Sequence, residues 1–220
     1  MIQDIIKIWS KYDYVFYRGI KYTLFLSVIT IFFGTILGSL IAFMKMSKSK
    51  VLNTAANIYN GIIRGTPILL QLYFFWLWLP KISPIELSDR MCITIALIVN
   101  GSSFISEVIR SGIQAVDVGQ MEAAKSLGIR QSYAMRYIIM PQAIKNILPA
   151  LGNEFIAMMK QTSLGSAFFI GELMTAYRTV QSATYKGIEA LIIAGIIYLI
   201  LTYALTFLLG IFERKLKESD

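Results

Sequence analysis

The sequence predicts an all-α, polytopic membrane fold: five transmembrane helices, further helices on the cytoplasmic side, the N-terminus outside and the C-terminus inside. Three observations predict it. The 220 residues are 56% hydrophobic, with a mean hydropathy of +0.61, which leaves too little charge to cover a soluble domain of this length. Residues 22–44 and 190–212 are uncharged runs of 23 residues each. As helices, each run crosses a hydrocarbon core of ~30 Å. Finally, basic residues gather in alternate connections, the signature that sets orientation.

Residues 1–19 read as an amphipathic interfacial segment. Ile2, Ile5, Ile6 and Trp9 recur at helical spacing, with Asp4, Lys7 and Lys11 between them, as in helices that lie at headgroup depth. The first span covers residues 22–44. Gly34, Gly38 and Ala42 form a row of small residues on one of its faces, where a second helix can approach closely. Residues 51–80 are apolar except for Arg64, too long for one upright span. The part before Arg64 is expected along or below the cytoplasmic surface, and the part after it in the membrane. A third span is expected over residues 91–111 and a fourth over 141–161, the latter carrying Pro149, Glu154 and Lys160. A loop with some helix follows to Gly187, and the last span is 190–212.

Orientation follows the basic bias. Residues 45–53 carry three Lys and no acid, and residues 110–145 carry five basic residues against two acids. Both are expected inside. Residues 1–21 hold four basic residues against two acids and oppose this weakly.

Several function classes are excluded. The single Cys92 allows no internal disulfide framework. With no His and one Cys, no zinc site is expected. The net charge of +8 is spread over helix ends, without the basic stripe and interleaved aromatics of a nucleic-acid binder. No G-x-x-x-x-G-K-[ST] loop is present, so this chain lacks the usual means of holding ATP. No nucleophile–base pair suggests catalysis.

The polar residues placed in spans are the candidates for a ligand site, because lipid makes them costly. Asn100, Ser103 and Glu107 share one face of the third span. Glu154, Met158 and Gln161 share a face of the fourth. Thr66, Leu70 and Tyr73 share a face of the second, beside Pro67, which frees a backbone carbonyl. A cavity lined by these faces would offer a carboxylate, hydroxyls and amides, which suit a zwitterion. Glu107 and Arg110 read instead as a structural ion pair that could include Arg64.

Residues 117–141 form the most informative stretch. Asp117 can cap a helix, with Gln120 at capping-box spacing. Met121, Ala124 and Leu127 place an apolar stripe on it, and Gly128 can end it in the left-handed conformation. A second helix would run through Tyr133, Tyr137 and Met140, with Pro141 in the first turn of the next one.

The pattern Glu122-Ala123-Ala124-x3-Gly128-x9-Ile138-x-Met140-Pro141 resembles the EAA signature of permease subunits of binding-protein-dependent ABC importers. Met140 stands where leucine is usual. Arg64-Gly-Thr-Pro67 with Gln71, Glu107-x-x-Arg110-x-Gly112-Ile113, Asn153-Glu154 and Lys160-Gln-Thr-Ser163-Leu164 resemble the branch for polar amino acids. Gly101-Ser102-Ser103 departs from it, since bulkier or alanine-rich residues are commoner there.

The resemblance implies a single permease domain over 1–220 with residues 117–141 as its cytoplasmic coupling loop. Asp117, Glu122, Ala123, Ala124 and Gly128 would be the joint with a separate ATPase. It also implies a bacterial-type inner membrane location and no cofactor in this chain, ATP and Mg being bound by the partner. The implied partners are two ABC ATPase subunits, a second permease (another copy or a close paralogue) and an extracytoplasmic amino-acid-binding protein. The expected cargo is a polar or basic amino acid of the arginine, lysine or histidine type, with glutamine or glutamate the alternative. A channel or membrane sensor that opens without ATP would use the same helical loop as a gate, and co-purification of an ATPase separates the two readings.

Overall fold

The computed structural model describes residues 1–217, which are helical throughout with short connections. Helix α1 (Ile2–Lys45) is 44 residues long, ~66 Å at ~1.5 Å per residue. The expected interfacial segment and first span are therefore one unbroken helix. Its first half holds its course because Ile8 and Phe16 are buried in an apolar cluster with Leu173, Val180, Ile193 and Ile197. These come from helices α8 (Leu173–Thr184) and α9 (Gly187–Lys217). Asp4 also pairs with Lys186.

The second half of α1 lies on α4 (Asp89–Gln114), and the row of small residues explains the fit. A Cβ on Gly38 would stand 2.8 Å from the Ser102 carbonyl oxygen and 3.1 Å from the Ile105 Cβ, and one on Gly34 would stand 3.1 Å from the Ile105 Cδ1. Removing the side chain lets the two backbones approach.

Residues 51–80 break where the sequence places the strain. Helices α2 (Lys50–Gly65) and α3 (Ile68–Ile82) meet at 106°. Thr66, just before Pro67, is extended at φ −121° and ψ 147°, as a residue preceding proline tends to be. After α4 come α5 (Val118–Ser126), α6 (Gln131–Ala134) and α7 (Met140–Gln161). Met135–Ile139 forms a π-helical turn that joins α6 to α7 without a loop. Pro141 cannot donate to residue 137, and the wider turn absorbs that missing bond. Thr162–Phe168 is a 3-10 stretch. The 12-residue α8 beyond it was expected only as part of a loop. Glu172 caps α8, accepting from the N–H groups of Met174 at 2.6 Å and Thr175 at 2.7 Å.

By length and apolar character, α1, α4 and α9 qualify as membrane spans, and the bent α2–α3 pair adds a fourth if it counts as one. Helix α7, expected as a span, has 22 residues but is interrupted by Lys145, Asn146, Asn153, Glu154 and Lys160. Its inner face packs on α4 and α9.

Candidate functional site

The α2–α3 elbow, α4 and α7 position most of the polar residues singled out in the sequence. They fall into two groups with different surroundings. The first is a buried ladder between the elbow and α4. Asn100 donates to Gln71 Oε1 at 2.9 Å, and Ser103 donates to Asn60 Oδ1 at 2.9 Å. Asn60 in turn donates to Ser106 and to Glu107, both at 2.9 Å. The Tyr59 hydroxyl donates to the Val99 carbonyl at 2.9 Å and lies 2.7 Å from the Ser102 hydroxyl. Thr66 donates to the Ile62 carbonyl at 2.8 Å and accepts from Gln71 at 2.8 Å. Ser103, Thr66 and the Asn100 amide nitrogen thus bond to the protein itself, while the Asn100 Oδ1 is buried without a hydrogen bond to any described residue. The small Gly101-Ser102-Ser103 residues let these bonds form, and Met158 packs its sulfur against Gly101.

The ladder ends in an ionic cluster. Glu107 pairs with Lys45, with Arg110 Nε at 2.9 Å and with Arg64 at 3.9 Å. The sequence suggested Arg110 and Arg64. It did not suggest Lys45 or Asn60, which are distant along the chain: Lys45 ends α1 and Asn60 lies within α2, and neither position signals its partner.

The second group lines an open cavity of about 460 Å³ between α4 and α7. Arg64, Glu107, Asn146 and Glu154 supply its polar wall, and Phe104, Val108 and Ala150 its apolar wall. Glu107 is already paired three ways. Glu154 has no hydrogen bond or ion pair to any other described residue. It presents a carboxylate to the cavity in a chain where most polar groups are satisfied. Among the other candidates, Gln161 is half-buried with an unbonded carbonyl oxygen, and Leu70 faces outward, 58% exposed. The three polar faces therefore do not converge on one cavity: Glu154 borders it, and Asn100 and Ser103 lie within the packed ladder.

Residues 117–141 form a helical arm beyond the ends of α4 and α7. Asp117 caps α5 by accepting from the Gly119 N–H at 2.8 Å. Gly128 has φ +72°, and around it Ile129 donates to the Ala124 carbonyl and Gly128 to the Lys125 carbonyl, both at 2.9 Å. This is the two-bond closure that a left-handed glycine permits. The apolar stripe is narrower than expected: Met121 and Ala124 face inward, but Leu127 is 79% exposed because the chain turns at Gly128. Met121 touches the cluster of Ala42, Ile105, Ile109, Ile139, Ala143 and Ile147. One apolar cluster thus ties the arm to α1, α4 and α7. Glu122 and Ala123 point to solvent.

A multi-pass helical membrane protein with a packed helical arm at one end of its spans is the class that this fold and geometry define. The chain belongs to the family of inner membrane components of binding-protein-dependent transport systems, whose description matches residues 34–218. It is accordingly an inner-membrane permease component of an ABC transporter, a family that works with ATPase and binding-protein partners. It is 37% identical to the arginine transport system permease protein ArtQ of Bacillus subtilis, over 92% of this chain and 93% of that protein. It is 38% identical to the putative glutamine transport system permease protein GlnP of Rickettsia conorii, over 98% and 99%. It also superimposes on a chain from the crystal structure of an amino acid ABC transporter with histidines, at a TM-score of 0.90 and 43% identity, covering 94% of this chain and 96% of that one.

Proposed function

We propose that this permease carries a basic amino acid into the cytoplasm, and that Glu154 receives the cargo's cation. The single observation supporting this is the unpartnered Glu154 carboxylate facing the 460 Å³ cavity. A half-buried carboxylate without a counter-ion carries part of the cost of full desolvation, and a side-chain ammonium or guanidinium passing the cavity would offset it. Arg64, on the same wall, can take the α-carboxylate. Glutamine is the second reading, favoured by the names of the Rickettsia relatives. In that reading Glu154 takes the α-ammonium.

We infer the rest of the machine from the family's association with ATPase and binding-protein partners. Two partner ATPases bind ATP and Mg and dock against the face of the arm bearing Glu122 and Ala123, on the cytoplasmic side. A second permease, either another copy or a close paralogue, completes the path, and an extracytoplasmic binding protein delivers the cargo. Closure of the ATPases moves α5, and the cluster around Met121 transmits that movement to α1, α4 and α7. Such coupling works only if the partners bind the two states of the permease unequally.

Uptake into vesicles containing the whole transporter tests the cargo reading. A competition panel of all common amino acids should rank arginine, lysine and histidine first. Glu154→Gln should lower uptake of the best basic cargo about tenfold more than that of any neutral one. Equal losses for both would show that Glu154 does not read the side chain.

A further inference from the structure

A second cavity, remote from Glu154, has a different character. Tyr14, Arg18, Lys21 and Phe25 follow one face of α1 and open a cleft of about 760 Å³ against Arg90 of α4 and Thr175 and Thr179 of α8. Arg18, Lys21 and Arg90 all border it, and among the described residues no acidic one does. The Arg90 guanidinium lies 5.1 Å over the Tyr22 ring, which fixes its plane. The acids nearest in sequence are engaged elsewhere: Asp13 accepts from the Tyr14 N–H at 2.7 Å, Asp89 accepts from Trp76 Nε1 at 2.8 Å, and Glu172 caps α8. Three cations without a counter-charge around one hollow favour an anion with several oxygens.

The same helical face continues below the cleft as an apolar strip. Phe25, Phe32, Ile36 and Phe43 are spaced at intervals of seven, four and seven, and they are 59%, 59%, 51% and 53% exposed. Lys21 immediately precedes the uncharged run, which places the cations at the depth of the headgroups. From Phe25 to Ile36 is ~16 Å along the helix, about the depth of one leaflet. An anion site above and an apolar strip below, on one face of one helix, match an amphiphile.

We propose that this cleft binds the phosphate headgroup of an anionic phospholipid, with an acyl chain laid along Phe25, Phe32 and Ile36. A free phosphate would neutralise the cations but leave the strip uncovered. A second copy of this chain would cover the strip but bring its own cations to the same contact, because a two-fold interface pairs like with like. The lipid satisfies both halves at once, and it does so whichever amino acid the transporter carries.

The test uses the assembled transporter, stripped of lipid in detergent and titrated under native mass spectrometry. The probes are phosphatidylglycerol, phosphatidylcholine and glycerol 1-phosphate. Phosphatidylglycerol should bind about tenfold more tightly than phosphatidylcholine, and glycerol 1-phosphate should neither bind nor compete at equal concentration. Arg18→Gln with Lys21→Gln should abolish the preference, Arg18→Lys should keep it, and Phe32→Asn with Ile36→Asn should weaken both lipids alike. Equal binding of the two lipids by the wild type overturns the proposal without any variant. So does displacement by glycerol 1-phosphate, which would mark a site for free phosphate. Loss of permease pairing in the Phe32/Ile36 variant, with lipid binding intact, would mark the strip as an interface between copies.

Discussion

The side-chain amide of Gln71 donates to the backbone carbonyl of Ile63 at 2.7 Å, and so replaces the bond that Pro67 cannot give. The same nitrogen reaches the Thr66 carbonyl at 3.2 Å, and its oxygen accepts from Asn100 at 2.9 Å. One side chain therefore closes the elbow between α2 and α3 and fastens it to α4. An elbow at 106° exposes carbonyls that lipid cannot satisfy.

Gln71→Leu keeps the volume and removes those bonds. The Ile63 carbonyl and the Asn100 amide are left buried without partners, at a cost of about 2 kcal/mol. The melting midpoint of the purified protein should fall, and an unchanged midpoint would show that the elbow is held by packing alone.

Glu107→Gln separates the ionic cluster from the transport path. Lys45 and Arg110 lose their counter-ion in a half-buried setting, which should cost about 2 kcal/mol. The ranking of cargo in the uptake panel should stay as in the wild type. A changed ranking would mean that Glu107, and not Glu154 alone, contacts the substrate.

Gly38→Val tests the close approach of α1 to α4. Its side chain would meet the Ser102 carbonyl, with no room to yield, and should cost about 3 kcal/mol or prevent folding. Gly61 has no atom within 4 Å of the corresponding position. Gly61→Ala should instead stabilise by about 0.5 kcal/mol. Thermal melting of both variants in the same detergent reads the contrast.

Glu122→Lys reverses a charge on the exposed face of α5. The fold should be unaffected within about 0.5 kcal/mol, while assembly with the ATPase weakens and ATP hydrolysis no longer drives uptake. Normal uptake in proteoliposomes would remove Glu122 from the joint.

The helices themselves were readable along the chain because a span is a local property. The uncharged runs within α1 and α9, the break at Pro67 and the left-handed turn at Gly128 all follow from a few neighbouring residues. What joins them is not local. Lys45 meets Glu107, and Asn60 meets Ser103, through crossings that no periodicity encodes. The same limit explains why the packing of Asn100 and Ser103 against the elbow was not legible. Their spacing identified a polar face correctly, but a polar face in lipid can serve another helix as readily as a ligand. Pro67 likewise freed the predicted carbonyl, and Gln71, four residues beyond, already answers it. Helix α8 was missed as a discrete element because it is short and polar. It is held by contact with α1, including the Leu173 N–H donating to the Thr23 hydroxyl at 3.0 Å.

That contact has a bearing on biogenesis. The first half of α1 is synthesised long before the surfaces that cover Ile8 and Phe16, which come only with residues 173–197. A nascent chain halted before Leu173 would carry an uncovered helix that insertion machinery or a membrane protease could detect. Closure of this end of the bundle therefore waits for α8 and the first turns of α9 to be made.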